Sequence, residues 1–400
     1  MITIVPLEST RQTEEVQAAM ALLIDQLGYT PSRSQVLLKP NIVDALKPNE
    51  AVTTDPAIVQ GLILALQDRG AKSFVIGEAS GYFAADEHWA RLVEEAGYVK
   101  MVDSLVKDHG VDVTLVNLES AEREDYPWEY GTLPLPALLG THAYINIAKM
   151  KTHVHTQVSL CCKNQKGLLR LAEKKKFHLG IKGASLHDCI RALAVTIQPE
   201  LAIIDATRAL EGSGPTTEMN GQTKVRRLKL CIGGTDLVEV DNAGCQVMGT
   251  PVAEVAHLPE VPVEIAPGSM PLEDAIAKPP LRRPRLEVVN GPFHRFAMET
   301  ACTGCQVALS RMFRKVQFVP ELRAHLGDFQ KNYPFVNLVL GRAPAEKVAE
   351  IAANGGEFIF WGNCTKEMAA EFGGKHVPGC PPEHNAAIQI ILDLPTEEEQ

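Results

Sequence analysis

The stretch AMETACTGCQVALSRMF, residues 297–313, sets Cys302 and Cys305 two residues apart at the head of a helix-like run. Thiolates serve as nucleophiles or metal ligands, and a helix N-terminus favours them through its dipole and free N–H groups. Two more cysteines share that setting. Cys364, in FWGNCTKEM, follows a strand-like run, and Cys380, in HVPGCPPEHN, precedes a helix whose first turn Pro381 and Pro382 set up. Four such loops at one edge of a small parallel sheet could bring the sulfurs around one inorganic core. Structural zinc usually draws on two paired knuckles; here one CxxC pair is joined by two lone cysteines. A 4Fe–4S cluster takes four thiolates and tolerates a widely split set. We therefore expect Cys302, Cys305, Cys364 and Cys380 to hold a 4Fe–4S cluster, with zinc or unrelated thiols as the competing readings. Cys161, Cys162, Cys189, Cys231 and Cys245 lie in apolar or helical stretches and read as buried thiols.

A second group is basic. Residues 149–182, KMKTHVHTQVSLCCKNQKGLLRLAEKKKFHLGIK, carry nine Lys or Arg and three His against the single acid Glu173, in a chain of net charge −10. Such a reversal concentrates carboxylates or phosphates. Lys149, Lys151, His153, Lys163 and Asn164 sit at a strand end and a polar turn, where a bare solvated face has no need of them. Lys174 to Lys176 read instead as a solvated surface loop. Lys39 and Asn41 add a cation and an amide on another loop, and Glu78, Asp205 and Glu211 are the acid/base candidates. Gly212 and Gly214 permit close backbone approach to a ligand. Asp55, ahead of Pro56, reads equally as a helix cap, and Asp241 as the cap of a later helix.

These groups need a scaffold. Four hundred residues suggest two domains. Hydrophobic residues make up 45% and charged residues 22%, an ordinary globular balance. No secretory leader and no apolar run near the roughly 20 residues of a bilayer span is read, so cytoplasm is expected and no membrane partner. The acidic net charge argues against nucleic acid. Strand-like runs alternate with helical ones: SQVLLKPNIV, DPAIVQGLILALQDRG, AKSFVIGEASG, THAYINIAKMKTH, LAIIDATRALEGSGPT and LKLCIGGTDLVEVD. The expected class is α/β, with a mostly parallel sheet domain over residues 1–257. In such sheets ligands gather at the carboxyl ends of the strands, where the polar turns fall. A proline-rich linker or wrapping segment follows over 258–285, then a smaller α/β iron–sulfur domain over 286–400. The end TEEEQ reads as a frayed tail. Neither a P-loop nor a GxGxxG opening a helix is present, so no nucleotide is expected.

The segments LLKPNIV, TTDPAIVQGLILALQDRGAKSFVIGEASG, INIAKMKTHVHTQVSLCCKNQKGLL, QPELAIIDATRALEGSGPT and GGTDLVEVDNAGCQVMG, in that order over about residues 36–249, resemble the domain of unknown function 362 family. The resemblance implies little chemistry, although members are often joined to iron–sulfur modules. Usual members carry a plainer LKN where this chain has CCKN. CTGC, GNC and PGCPP, in that order, are similar to the proximal-cluster ligands in the small subunit of nickel–iron hydrogenases. PGCPP is also similar to the related small subunit of respiratory complex I. Those short matches imply the cluster type and not hydrogenase activity.

The expected function is an iron–sulfur oxidoreductase acting on a small anionic substrate, with a redox partner protein. Substrate would bind Lys39, Asn41, Lys163, Asn164, Gly212 and Gly214. Protons would pass through Lys149, Lys151, His153, Glu78, Asp205 or Glu211. Four cysteine ligands saturate a cubane, which suits electron transfer better than Lewis-acid catalysis. The alternatives are a redox-neutral lyase or isomerase with a structural cluster, and a non-catalytic electron carrier or assembly factor.

Overall fold

A computed structural model describes the chain apart from residues 44–45, 80–85, 218–222, 286, 299 and 396–400. The acidic tail and much of the glycine loop after Glu78 thus lie outside the described residues. The chain divides into two compact units: Met1–Pro215 with Lys224–Pro284, and Thr216–Thr223 with Arg285–Gln400.

The first unit is built on strands β1 (Ile2–Pro6), β2 (Gln35–Pro40), β3 (Ser73–Glu78), β4 (Asp112–Asn117), β5 (Arg123–Trp128), β6 (Gly131–Pro136), β7 (Ala143–His153), β8 (Gln157–Ser159), β9 (Leu201–Gly212), β10 (Thr223–Arg226) and β11 (Leu230–Gly234). Among the described residues nine of them form one sheet, in the order β1-β11-β9-β7-β2-β3-β4, with β8 paired to β7 and β10 to β9. β5 and β6 form a separate hairpin. From β9 through β4 every neighbour is parallel. β11 runs antiparallel to both β9 and β1. The expected large, mostly parallel α/β sheet is thus present.

Strand alternation explains why both faces are covered. Leu37, Ala148, Met150, Ala202 and Ile204 belong to one buried cluster, while Val36, Leu38, Ile145, Ile147, Leu201 and Ile203 belong to another. Helices Thr13–Gln26 and Pro56–Gln67 cover the second face; Leu186–Thr196 and Leu237–Met248 cover the first. The chain leaves β2 toward β3 on one side, and leaves β7 toward β9 on the other. The order therefore reverses between β2 and β7, which is where an open α/β sheet forms its ligand crevice.

Residues 258–284 belong to the first unit. Ile2 N–H donates to the Glu264 carbonyl at 2.6 Å, and Ala266 N–H returns a bond to the Ile2 carbonyl at 2.8 Å. Ala277 and Leu281 then bond the carbonyls of Val247 and Met248, each at 2.9 Å. Leu258, Ala275, Ala277 and Leu281 are buried, so the proline-rich stretch is a strap over the sheet's end strand and last helix.

The second unit contains β12 (Glu287–Asn290), β13 (Phe293–Ala297), β14 (Val336–Leu340), β15 (Glu357–Trp361) and β16 (Lys375–Val377). They form a five-stranded sheet in that order among the described residues, parallel except for β12. Leu338, Leu340, Ile359 and Trp361 pack on one face with helices Thr303–Phe318 and His384–Leu392. Val339, Phe358 and Phe360 pack on the other with helix Ala345–Ala352. Among the described residues no helix is long and apolar enough to cross a membrane.

Candidate functional site

In the first unit the carboxyl ends of β2, β3, β7 and β9 carry a buried polar network. Lys39 Nζ donates to Glu78 Oε2 at 2.8 Å, to the Pro40 carbonyl at 3.0 Å and to Asn164 Oδ1 at 3.2 Å. Both partners of that ion pair are essentially inaccessible, at 0% and 1% exposure. Glu78 also accepts from the N–H groups of Ile42 and Ala79, at 3.3 and 3.0 Å. Asn164 links outward, receiving Asn41 Nδ2 at 3.0 Å and donating to Asn146 Oδ1 at 2.7 Å. Lys151 Nζ reaches Asn41 Oδ1 at 2.6 Å and the Val52 carbonyl at 2.8 Å. Burial drags the Lys39 ammonium below its ordinary range, and Glu78 opposes that.

A second buried pair stands beside the first. Lys149 Nζ donates to Asp205 Oδ2 at 2.8 Å, and the same oxygen takes the Asp55 N–H at 2.9 Å. Asp205 Oδ1 receives the Thr207 hydroxyl at 2.6 Å. Asp55 caps helix Pro56–Gln67 by accepting from Ala57 N–H at 3.1 Å, so the capping role is real. Burial, then the nearby Asp205 charge, raises its carboxyl.

The structure thus gathers Lys39, Asn41, Glu78, Lys151 and Asn164 into one network and sets Lys149 and Asp205 into another. Glu211 stands apart. It is engaged by Arg226 at 3.1 Å and by the Arg282 side chain and N–H at 3.1 and 3.2 Å, which ties β9 to the strap. Gly212 and Gly214 serve the backbone. The Thr152 hydroxyl donates to the Gly212 carbonyl at 2.6 Å, and a Cβ on Gly214 would overlap the Thr152 carbonyl. His153 is buried, and its Nδ1 accepts the His155 N–H at 3.1 Å. Burial and then Lys163 hold it well below the usual imidazole range, so it is neutral. Lys163 is half-buried; burial and then Lys174 bring its amine down to about 8.

Two readings are corrected. Lys174 does not lie on a solvated loop: it sits on helix Leu171–Leu179, half-buried, and donates to the Ala79 carbonyl at 3.0 Å. Asp241 does not cap helix Leu237–Met248, since Asp236 does so through Glu239 N–H at 2.8 Å. Asp241 lies one turn further in, and its oxygens accept the N–H groups of Cys161 and Cys162 at 2.7 and 2.8 Å. Burial raises its carboxyl to about 6 against those bonds. The two thiols are buried, and burial followed by Asp241 holds both well above the usual range, so they are unreactive.

Sequence reasoning missed Gly167. A Cβ there would overlap both the Glu78 carboxylate and the Lys39 ammonium. Its own carbonyl accepts the Ala79 N–H at 3.0 Å, fixing that approach. A glycine inside NQKGLL was the available signal.

In the second unit the cysteines lie beyond the carboxyl ends of β13, β15 and β16. Cys302 is the residue before helix Thr303–Phe318, and Cys305 lies in its first turn. The helix after Cys380 begins only at His384, capped by Glu383, so the two prolines precede it. Two loops are zipped together here. Gly362 N–H donates to the Val377 carbonyl at 2.8 Å and Asn363 N–H to the Gly379 carbonyl at 2.9 Å, while Gly379 N–H returns to Asn363 Oδ1 at 2.7 Å. Those bonds hold Cys364 alongside Cys380. Gly362, at φ +98°, faces the sulfurs: a Cβ there would stand 3.3 Å from Cys305 Sγ and 3.8 Å from Cys364 Sγ. Trp361 Nε1 fixes the helix start by donating to the Cys305 carbonyl at 3.1 Å.

The other three thiols bear on Cys305. A hydrogen bond with Cys302, then burial, then the charges of Cys302, Cys364 and Cys380 hold Cys305 well above the usual range. Burial, then Cys302 and Cys380, raises Cys364. One zinc ion holds its sulfurs about 2.3 Å away, hence close to each other. A cubane takes one thiolate at each of four iron corners, and so spreads them further. The donor set is four thiols, the ligand chemistry that a 4Fe–4S cluster takes.

A family model, Domain of unknown function (DUF362), matches residues 36–246, more than half of the chain. The thylakoid-associated protein sll1697 of Synechocystis sp. is 24% identical over 231 residues, covering 56% of this chain and 67% of that protein. No solved structure matches the chain.

Proposed function

The chain belongs to the DUF362 family, and from that premise we propose that it is an iron–sulfur oxidoreductase acting on a small anionic substrate. A 4Fe–4S cluster on Cys302, Cys305, Cys364 and Cys380 would supply one-electron transfer when bound. One observation carries this reading. Cys302, Cys305, Cys364 and Cys380 stand on loops at the carboxyl edge of one small parallel sheet, with the Cys305 and Cys364 sulfurs both against Gly362 and Cys302, Cys364 and Cys380 all close enough to act on Cys305. The switch point between β2 and β7 supports substrate handling in the first unit, because buried cations and amides cluster there. Lys39–Glu78 and Lys149–Asp205 are closed on themselves and act as the frame of that site. Lys163 fits the proton carrier best, being half-buried with an amine that titrates near 8.

The test is anaerobic isolation of the full chain. The expected result is brown protein with about four iron and four sulfide per chain, and a paramagnetic signal on reduction. Cys364→Ala and Gly362→Ala should each lose iron while far-ultraviolet circular dichroism stays unchanged. Colourless protein without sulfide would refute the cluster. Cluster-bearing protein that cannot be reduced would refute electron transfer and leave the redox-neutral reading.

A further inference from the structure

The network at the switch point is closed by its own bonds, so its cations are committed to neighbours. A different group of cations, beside the first strand, is not. A cleft of about 220 Å³ opens between the segment after β1, the middle of β9 and the turn before β11. β1 is antiparallel to β11, which is antiparallel to β9, so β1 and β9 run the same way and the cleft lies at the carboxyl end of β1, beside the middle of β9. Arg11, Arg208, Arg227 and Lys229 line it with one carboxylate, Glu8. Four cations against one acid, in a chain of net charge −10, form a local potential that attracts anions.

The charges are only partly spent. Lys229 pairs with Glu8 at 2.6 Å, and Arg208 with Asp55 at 3.3 Å. Arg11 and Arg227 have no ion-pair partner among the described residues and are exposed. Ser9, whose oxygen accepts the Arg11 N–H at 3.2 Å, keeps its O–H to donate from the wall beside Arg11. Guanidinium forks together with hydroxyl donors suit a tetrahedral oxyanion, which presents more acceptor oxygens than a carboxylate.

The walls are fixed beforehand. Leu7 N–H donates to the Lys229 carbonyl at 2.7 Å and Lys229 N–H to the Thr207 carbonyl at 3.1 Å. Lys229 sits at φ +60°, a left-handed conformation unusual for lysine and of the kind found at functional sites. Thr207 and Thr10 connect the cleft inward, bonding Asp205 and Asp55 at 2.6 and 2.8 Å. The cleft is smaller than the roughly 300–1,000 Å³ of drug-sized sites, which favours a small metabolite.

We propose that this cleft binds the phosphoryl group of a small phosphate ester through Arg11, Arg208, Arg227 and Lys229. The inference goes beyond the proposed function, since this cleft is separate from the switch point, and it stands without the cluster. Full-length protein is titrated calorimetrically with inorganic phosphate, glycerol 3-phosphate and succinate, with iron measured on the same sample. Phosphate and glycerol 3-phosphate should bind saturably, and Arg227→Gln and Arg11→Gln should each weaken them about tenfold or more. Both side chains are exposed, so the variants should fold normally. Absence of saturable binding, or binding that both variants leave intact, would overturn the cleft. Tighter binding of succinate would overturn the phosphoryl assignment. Binding unaffected by loss of iron would uphold the cleft even if the cluster reading failed.

Discussion

Replacing Lys39 by Met removes the cation from a carboxylate that cannot reach water. The pair is 2.8 Å apart, with both side chains essentially inaccessible. Breaking such a pair from one side costs about 3–5 kcal/mol, mostly the penalty of an unpaired buried charge. Glu78 keeps the N–H groups of Ile42 and Ala79, which places the cost near the lower end, about 3 kcal/mol. Lys39→Met with Glu78→Leu should cost less than the sum of the single changes, because neither then strands a charge. Glu78→Gln adds a signed pH dependence. Burial already lowers the Lys39 ammonium and Glu78 opposes it, so the variant's lysine falls further below its unfolded value. The unfolded state then binds more protons, and stability rises with pH. The Glu78→Gln penalty should therefore shrink as pH rises toward the ordinary lysine range. Hydrogen exchange on peptides covering 36–42 and 73–79 reads this locally, which suits a two-unit chain that need not unfold in one step. A Lys39→Met cost below about 1 kcal/mol, or a Glu78→Gln penalty that grows with pH, would refute the reasoning.

Two further outcomes follow from the same region. Gly167→Ala drives a methyl group into the Lys39–Glu78 pair and should cost about 1–3 kcal/mol, as overpacking does; a change that urea unfolding cannot detect would show that the approach is not close. Asp241, held up to about 6, is more protonated folded than unfolded, so it lowers stability as pH rises from about 4 to about 6. Asp241→Asn cannot titrate, so its stability relative to the parent should improve by about 2 kcal/mol from pH 4 to pH 7, and paired melts at the two pH values check that sign.

How much of this was legible in the chain divides along physical lines. Alternating apolar runs and glycine or proline stops identified the α/β class and its large parallel sheet, because burial of both faces demands continuous apolar strands. Asp55 before Pro56 announced a helix start in local chemistry alone. Lys151 and Asn164 were recognisable as polar residues in apolar surroundings and Lys39 and Asn41 as a cation and an amide, and the structure gathers all four, with Lys39 on strand β2 rather than on a loop. Their partners were not recognisable. Whether Glu78 meets Lys39, or Glu211 meets Arg226 and Arg282 instead, depends on which strands become neighbours. Asp241 shows the same limit: a helix cap is a rule of the next three residues, whereas its actual bonds run to Cys161 and Cys162, some 80 positions away.

CTGC, GNC and PGCPP presented four thiols as the expected donor set, since sulfur chemistry is carried by residue type. Placing those loops side by side required the parallel order of β13 to β16 and the reciprocal bonds between Gly362, Asn363, Val377 and Gly379. The arginine cleft belongs wholly to the tertiary structure. Arg11 and Arg227 lie more than 200 positions apart, and only the pairing of β1 with β11 sets them in one wall. Sequence encodes which groups a chain owns and what each turn prefers. Pairing across long loops is decided by the burial of whole faces at once, a collective free energy that no local window contains.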